Sequence, residues 1–360
     1  MNKADLINKL NQARPFLTTS DFIPVLMHFC FDSSSLVAYN DIAGIKLVLD
    51  SDIEGAVNGS LMLKMLATVQ EDTVRVGMQG SKDVLISSTG SNIKLPLLAP
   101  EEFIFEMPDT EGCELVRLPL SFLEGLEKTL VSIGDDPMHP ERSGVTWKID
   151  DKITLYSTDS RSISIYKWSD DTMESVEPLE VITPKFFCEQ LITLCKNYSD
   201  ELKTIDLYFN KKENYVIVDL NKICRIFTRL IEVKSGGTDY ETVLAAMLPN
   251  DAESTYSEIP DRLTPALERA SLLGSTGKLT EKTSRIVITE KLFNIRTESE
   301  FGLTSDDVEF PIAFGEFEFY LDPDLLLRSF KYCTKINVTS NVLSLKDDAN
   351  FQHLVSHTSS

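Results

Sequence analysis

Apolar residues along the chain follow two spacings, one typical of amphipathic helices and one typical of β-strands. Helical spacing predicts six helices, each followed by three short runs in which apolar and polar residues alternate. Clusters of Gly, Asn, Asp and Ser separate these runs, as they do in strand hairpins. The six predicted helices are 4–13, 61–67, 121–132, 185–196, 264–273 and 324–334.

The predicted strands differ in the strength of their pattern. Alternation is clear in the runs 35–39, 144–149, 162–168 and 215–220. A further strand is predicted at 22–30, and a weaker one at 308–314.

This plan of helix and strands returns at a longer interval. Its clearest copies begin at Val57, Val181 and Phe319, about 130 residues apart, which suits a small domain better than a solenoid repeat. We therefore predict three similar domains, 1–117, 118–245 and 246–360. Each contains two helices packed on antiparallel sheet, an α+β architecture.

The chain is acidic, with a formal net charge of −21. Such a total argues against simple adhesion to nucleic acid or to an anionic membrane, although positive charge can still be confined to one face. No apolar run approaches the roughly 20 residues that span a bilayer, and residues 1–5 do not resemble a signal peptide. The six cysteines form no C-x-x-C pair, so we expect reduced core thiols in a cytoplasmic protein.

The residues capable of chemistry form no catalytic or metal-binding pattern. His28 fits a buried strand, while His353 and His357 lie near a C-terminus that we expect to be mobile. Phosphate-loop, nucleophile-elbow and zinc-protease motifs are absent, and segment 50–54 lacks the Gly and the final Glu of an EF-hand. We therefore expect no enzymatic activity, no cofactor and no metal. The alternative is an enzyme with carboxylates in a cleft.

Basic residues near helix ends are more informative. Arg328, Lys331 and Lys335 fall at i, i+3 and i+7 of the last predicted helix, which places them along one stripe. Complementarity to the helix dipole would explain these three alone. Other predicted helices also carry bases near their ends, namely Lys9, Arg14, Lys185, Lys196 and Arg269. If the repeats direct these helices toward one centre, the scattered bases become a positive ring.

Short segments in all three thirds of the chain carry a family pattern. They are Phe22-Ile23-Pro24-Val25-Leu26, Asn40-Asp41-Ile42, Ala99-Pro100-Glu101-Glu102-Phe103, Thr158-Asp159-Ser160-Arg161-Ser162-Ile163, Gly237-Thr238-Asp239-Tyr240 and Leu267-Glu268-Arg269-Ala270-Ser271-Leu272-Leu273. On these segments, and over nearly its whole length, the chain resembles the bacterial-type sliding clamp, the beta subunit family of DNA polymerase III.

The resemblance implies a head-to-tail homodimer in which six pseudo-equivalent domains close a ring around duplex DNA. Helices would line the hole and sheets would form the outside, so contacts to DNA would be neutral to sequence and sensitive to salt. The implied partners are duplex DNA, the replicative DNA polymerase and the clamp loader, with no membrane. The candidate pore-wall residues are Lys9, Arg14, Lys64, Lys196, Arg269, Arg328, Lys331 and Lys335.

The resemblance also implies two protein-binding surfaces. Subunits would meet through Ile93 and Leu95 on one side and through Leu272 and Leu273 on the other, unless these are ordinary core residues. A partner peptide would bind in a groove between the second and third domains, unless that groove is a domain seam without a ligand. The candidate groove residues are Thr158, Ser160, Arg161, Ile163, Thr238, Val243, Leu354 and Val355.

The chain also departs from the family pattern. Ser160-Arg161-Ser162-Ile163 stands where the family has Gly-His-Arg-Leu, and Ser356-His357-Thr358-Ser359-Ser360 stands for Met-Pro-Met-Arg-Leu. Together with an insert-like stretch at 249–260, these changes suggest a phage-encoded version with an altered groove. The alternative function is a duplicated-domain phage scaffold or assembly protein without a role on DNA.

Overall fold

The computed structural model describes residues 1–20, 22–169, 177–232, 247, 256–276, 283–310, 316–347 and 350–359. Six α-helices in this part of the chain are α1 (Lys3–Ala13), α2 (Gly59–Thr68), α3 (Phe122–Thr129), α4 (Lys185–Asn197), α5 (Leu263–Thr276) and α6 (Pro323–Phe330).

The strands of the first part of the chain are β1 (His28–Asp32), β2 (Ser35–Tyr39), β3 (Ala43–Val48), β4 (Gly55–Asn58), β5 (Arg75–Met78), β6 (Asp83–Ser87), β7 (Asn92–Pro96), β8 (Glu114–Pro119), β9 (Gly144–Ile149), β10 (Ile153–Thr158), β11 (Ser162–Trp168) and β12 (Leu179–Pro184). Those of the second part are β13 (Thr204–Asn210), β14 (Tyr215–Leu220), β15 (Cys224–Arg229), β16 (Ser257–Glu258), β17 (Ser284–Ile288), β18 (Leu292–Ser299), β19 (Gly302–Glu309), β20 (Phe317–Leu321), β21 (Lys335–Val338), β22 (Val342–Lys346), β23 (Phe351–Ser356) and β24 (Thr358–Ser359).

A short strand leads into most helices, which the sequence pattern did not predict. β4, β8, β12 and β20 each end within a few residues of the helix that follows. At the first of these junctions, Asn58 both ends β4 and caps α2, because its Oδ1 accepts a hydrogen bond from the Leu61 N–H at 2.9 Å. Because no turn separates this strand from the helix, no turn residue marks where the two-residue spacing of a strand changes to the 3.6-residue spacing of a helix.

We call the short strand before each helix its leading strand, and a helix with its strands a copy. Each leading strand pairs with a strand of the neighbouring copy. β4 precedes α2 but pairs with β1, the first strand after α1, and the bridge between Asn2 and Thr73 makes the reverse connection. β8 and β12 pair with β13 and β9 in the same crossed manner. β16 and β20 do so with β21 and β17. The helix-and-strand copies are therefore joined in three pairs, and each pair exchanges its leading strands.

Two eight-stranded sheets share one plan. The first sheet has the order β4-β1-β2-β3-β15-β14-β13-β8, and the second has β12-β9-β10-β11-β23-β22-β21-β16. The remaining strands form a five-stranded sheet, β19-β18-β17-β20-β24, and a three-stranded sheet, β5-β6-β7. All pairings between these named strands are antiparallel, which confirms the predicted α+β class.

The chain divides into two compact units. Unit 1 comprises Met1–Leu120 and Phe186–Leu230, and unit 2 comprises Ser121–Lys185 and Ile231–Ser360. Each unit contains one eight-stranded sheet. The predicted second domain, 118–245, contributes strands to both sheets, so the division into three domains stays a prediction.

The two faces of the second eight-stranded sheet have different environments. Ser157 and His353 point toward the helices, because Ser157 donates to the Thr129 carbonyl of α3 and His353 Nε2 lies 3.2 Å from the Leu325 carbonyl oxygen of α6. We call this side the helix face. The opposite side, the outer face, carries the alternate residues, such as Tyr156 and Gln352.

Three predicted elements were wrong in extent. Within 22–30, Pro24–Met27 forms a 3₁₀ turn, since Pro24 has no N–H to give to a sheet. The helix predicted at 324–334 ends at Phe330, after which the Thr334 N–H pairs with the Lys346 carbonyl at 3.0 Å. Of the strand expected at 308–314, residues 308 and 309 end the strand Gly302–Glu309, an exposed edge strand without an apolar alternation, and residues 311–314 lie outside the described residues.

We predict that Gly125→Ala destabilises unit 2 by about 1–3 kcal/mol. Alanine favours a helix, but a Cβ at position 125 of α3 would overlap the ring of Tyr166. Urea denaturation measures the change. In a Tyr166→Ala background the same Gly125→Ala change should be neutral or stabilising, and equal destabilisation in both backgrounds would contradict the steric cause.

Candidate functional site

Four candidate pore-wall residues lie on the helices of unit 1. Arg14, Lys64 and Lys196 are exposed, the first just after α1 and the others on α2 and α4. Lys9 is half-buried on α1, and its Nζ donates to the Val48 carbonyl oxygen at 2.7 Å. All four side chains are therefore carried by the helix layer, as expected of a helix-lined surface.

Arg269 on α5 is already engaged within the chain. Its guanidinium makes two hydrogen bonds to the Asp306 carboxylate of β19, at 2.6 and 3.2 Å. These bonds raise the pKa of Arg269. Because its charge is offset by a neighbouring carboxylate, Arg269 is a weaker candidate for a phosphate contact than the exposed bases.

Arg328, Lys331 and Lys335 do not share one helical stripe, which corrects the sequence interpretation. Arg328 is exposed on α6, with Nη1 3.5 Å from Asp159 Oδ2, and Lys331 caps the end of that helix. Lys335 lies beyond the helix, as the first residue of β21, and is the cross-strand partner of Lys346 on the outer face. The early end of α6 moves Lys335 to the side of the sheet opposite the helices.

The turn between β10 and β11 positions the start of the candidate groove. Asp159 Oδ1 accepts from the N–H groups of Arg161 and Ser162 at 3.0 and 2.7 Å, and Ser160 has a positive φ of 73°. Thr158 Oγ1 donates to the Ser162 carbonyl oxygen at 2.8 Å. Ser160 and Arg161 are thereby held exposed at the tip of the turn.

A turn of the same construction joins β2 and β3 in unit 1. Asn40 Oδ1 accepts from the N–H groups of Ile42 and Ala43 at 3.1 and 2.8 Å, and Asp41 has a φ of 79°. Asn40 thus corresponds to Asp159, and Asp41 to Ser160. The equivalence sets the register between the two eight-stranded sheets, so that Gly44 corresponds to Ile163.

Ile163 and Leu354 form the apolar centre of the candidate groove. They are cross-strand partners on the outer face, within a cluster that also contains Tyr156, Ile165 and Val342. Met247 packs against this cluster. The sequence analysis missed Tyr156, Ile165 and Val342, although Ile165 follows Ile163 at the two-residue spacing that places both on one face.

The other predicted groove residues do not join this cluster. Val355 is fully buried and follows Leu354 directly, so it points to the helix face, on the same side as His353. Its assignment to the groove beside Leu354 was therefore wrong. Thr238 and Val243 lie outside the described residues, and their assignment stays a prediction.

A buried polar network on the helix face connects this turn to α6. Ser162 Oγ lies 3.0 Å from both Asp159 Oδ1 and Ser132 Oγ, and Ser132 Oγ lies 2.8 Å from Ser164 Oγ. Ser164 Oγ lies 2.9 Å from His353 Nδ1, while Nε2 faces the Leu325 carbonyl oxygen. A carbonyl only accepts, so the proton is on Nε2, and Nδ1 accepts from the Ser164 hydroxyl.

His353 was misplaced by the sequence analysis, which expected it near a mobile terminus. It lies fully buried in β23, and burial lowers its pKa to about 4. The network satisfies its two nitrogens and four polar side chains away from water. His353 therefore anchors β23 to the helices, and no signal in the sequence distinguished it from the other histidines.

The candidate subunit surfaces differ from each other. Leu272 on α5 is 68% exposed and Leu273 is half-buried, on a helix whose Arg269 binds Asp306 of the edge strand β19. Ile93 is half-buried on β7, but Leu95 is only 3% exposed and pairs with Val84. The side chain of Leu95 is therefore a core residue, and any contact at β7 would use the strand backbone and Ile93.

Among the described residues, no group of three or more His, Cys, Asp or Glu could hold a metal. Four cysteines, Cys188, Cys195, Cys224 and Cys333, are buried free thiols, as predicted, and burial raises the pKa of Cys195 and of Cys333 to about 12. In the same part of the chain, no helix is long and apolar enough to cross a membrane.

The chain matches solved DNA polymerase III beta subunits along its whole length. The beta subunit of DNA polymerase from Streptococcus pyogenes is 17% identical, with a TM-score of 0.86 over 100% of this chain and 99% of that one. A putative DNA polymerase III beta subunit from Eubacterium rectale is 19% identical, with a TM-score of 0.84 over 99% and 98% of the two chains. The chain has the sliding-clamp fold.

A third structure with the sliding-clamp fold carries a ligand. The Helicobacter pylori beta clamp bound to a DNA ligase peptide is 17% identical, with a TM-score of 0.80 over 100% of this chain and 99% of that one. No family model and no curated protein matches the sequence. The resemblance drawn from short segments is therefore confirmed as a likeness of fold, at a level of identity where residue roles do not transfer directly.

We predict that His353 makes unit 2 less stable as the pH falls from about 6.5 to about 4. The first value is the pKa of His353 in the unfolded chain, and the second is its pKa in the folded protein. Between these values the unfolded chain binds more protons, so acid favours unfolding, by about 3 kcal/mol at the limit. Both tryptophans, Trp147 and Trp168, belong to unit 2. Their fluorescence during urea denaturation at pH 7 and pH 4.5 therefore reports this unit.

The comparison variants are His353→Gln and His28→Gln. His353→Gln lowers the stability at pH 7 but should flatten its pH dependence. His28→Gln changes unit 1 and should leave the tryptophan-reported slope of unit 2 unchanged. Parallel pH profiles for the wild-type protein and His353→Gln would contradict the assignment.

Proposed function

We propose that this chain is a DNA sliding clamp, a ring-forming processivity factor that encircles duplex DNA and tethers a replicative polymerase. The observation that carries the proposal is the match of the entire chain to DNA polymerase III beta subunits, with TM-scores of 0.80 to 0.86. Such a factor acts by topology and needs no catalytic centre. Its place of action would be the cytoplasm of a bacterial or phage-infected cell.

Three domains of two copies each, 1–117, 118–245 and 246–360, fit this function. The support is the crossed pairing of leading strands, which couples α1 with α2, α3 with α4, and α5 with α6. Two such chains would supply six domains to a ring, which is the architecture that the resemblance implies.

The ring would close through two edge strands, β7 of one subunit and β19 of the other. Among the described residues, each of these strands lies at the end of its sheet and offers unpaired backbone groups along one side. Beside β19, Leu272 is 68% exposed, Phe301 65% and Leu303 54%. Head-to-tail contact would cover these apolar side chains and would pair the exposed edges of β7 and β19.

The helix layer would face the DNA. Arg14, Lys64 and Lys196 are exposed there in unit 1, and Lys331 and Arg328 in unit 2, the latter 3.5 Å from Asp159. They would give each helix layer positive charge on a chain of net charge −21. Phosphate contacts from flexible bases are weak and neutral to sequence, which allows a ring to slide. The acidic remainder would limit adhesion of DNA to the outside.

Partner proteins would bind the outer face of the second eight-stranded sheet. The support is the cluster around Ile163 and Leu354, whose outer-face position and apolar composition suit a peptide anchor. A partner side chain would pack beside or in place of Met247. The replicative polymerase and the clamp loader are the proposed owners of such peptides.

We predict that Arg328→Gln with Lys331→Gln shortens the retention of the protein on nicked circular DNA. The log–log slope of retention against salt should fall by about 0.9 for each phosphate that the variant no longer neutralises. Two controls remove the same kind of charge from the sheets, namely Lys335→Gln on the outer face of the second eight-stranded sheet and the pair Lys46→Gln with Arg225→Gln on the first. An equal fall in retention for the controls would contradict a DNA-facing helix layer.

We predict that Leu272→Ser with Leu303→Ser converts the dimer to monomer. Each apolar side chain buried at a junction contributes about 1.5–3 kcal/mol, so the pair should raise the dissociation constant about 100-fold or more. Light scattering across a concentration series measures the change. Leu292→Ser, at an apolar position 37% exposed at the start of β18, is the matched control. A dimer that survives the double change while folding normally would place the junction elsewhere.

A further inference from the structure

A cavity of about 220 Å³ opens on the outer face of unit 2, beside the apolar cluster around Ile163. Ile165 belongs to both the cluster and the cavity lining. The lining also contains two amines, from the exposed Lys167 and the half-buried Lys346. A positive cavity thus adjoins an apolar surface in a chain that is strongly acidic.

Neighbouring residues hold the Lys346 amine in place. Its Nζ lies 3.7 Å from the centre of the Tyr256 ring. The Tyr256 hydroxyl lies 2.8 Å from Ser344 Oγ and 3.2 Å from Gln352 Nε2, which fixes the ring under the amine. The cation–π contact leaves the amine able to donate to an additional acceptor.

The carboxylate in the cavity lining is engaged elsewhere. Asp347 Oδ2 accepts from Lys128 Nζ at 2.8 Å, an amine that also binds Glu124 Oε1 at 2.9 Å, so the charge of Asp347 is partly offset inside unit 2. Lys335, the cross-strand partner of Lys346, adds a further cation next to the cavity, with Glu258 as its own partner on the far side. The balance of charge among the described residues around the cavity is therefore positive, which favours an anionic ligand.

Unit 1 has a cavity at the corresponding place, with a volume of about 650 Å³. The cross-strand partner of Lys46 is Arg225, whose next partner is Asp219. In unit 2 the cross-strand partner of Ile165 is Gln352, whose next partner is Lys346. Lys46 and Arg225 therefore occupy the positions of Ile165 and Gln352. Both cavities thus lie over equivalent strands of the two sheets. In unit 1 the lining includes Glu106 and Asp109 beside Lys46 and Arg225.

The acids in unit 1 come from a segment that is anchored by an aromatic ring. Phe105 stacks on Tyr39 with ring centres 4.1 Å apart, and a Cβ on Gly44 would lie 2.7 Å from that ring. Glu106 follows Phe105 directly and faces the basic cavity. The chain itself therefore displays an apolar anchor followed by acids on this outer face.

We propose that the cavity at Lys167 and Lys346 binds an acidic side chain of a partner peptide, next to the apolar anchor that the cluster around Ile163 receives. This inference rests on the proposed function and names the chemistry of its partner. A nucleic-acid phosphate would also meet the two amines, but the adjoining Ile165 and the Tyr256 ring favour a peptide that combines apolar and acidic side chains.

The test uses a fluorescent synthetic peptide with the sequence of residues 102–110 and a twin carrying Glu106→Gln and Asp109→Asn. The acidic peptide should bind the full-length wild-type protein about three- to tenfold more tightly than the twin, a preference that salt reduces. Lys167→Ala with Lys346→Ala should remove the preference and leave the affinity for the twin unchanged. Lys291→Ala, in a hairpin of the five-stranded sheet, is the matched control and should retain the preference.

Each other outcome overturns the proposal. Equal affinity for the two peptides, binding of neither, or a preference that survives the double change would show that the lysines do not bind acids. Displacement of the peptide by a nine-nucleotide single strand, abolished in the double variant, would assign the cavity to nucleic acid instead. Dimer formation and retention on circular DNA depend on neither lysine, so failure here is distinguishable from failure of the clamp function.

Discussion

Backbone hydrogen bonds between paired copies hold this architecture together. A leading strand that pairs only with its own copy would leave the neighbouring sheet one strand short. In the observed arrangement β8 completes the sheet begun by β13, and β12 completes the one begun by β9. Because buried backbone groups must be paired, neither copy of a pair completes its sheet alone. The pairing of β3 with β15 and of β11 with β23 then joins the pairs to one another.

The sequence predicted regular elements well where the pattern was strong. The strands at 35–39, 144–149, 162–168 and 215–220 have the predicted bounds, because alternating apolar residues mark half-buried strands clearly. The leading strands β4 and β12 were missed because each passes into the next helix without a turn. The candidate site was harder to predict from the sequence. The position of Lys335 depends on the residue at which α6 ends, and the ends of helices are poorly marked in a sequence.

Long-range partners explain the remaining differences. His353 and Ser132 are 221 residues apart in the chain and meet only through the pairing of β11 with β23. Local periodicity carries no information on such contacts, so the network and the true face of Val355 became clear only in the folded chain. The wider resemblance supplied the fold, since six weak local matches in the correct order are jointly more specific than any one of them.

Imaging of single particles of the purified protein tests the central claim most directly. The account predicts closed rings made of two 40.4 kDa chains, with six similar lobes around a hole wide enough for duplex DNA. Single chains with no ring at any concentration, or a compact assembly without a central opening, would contradict it.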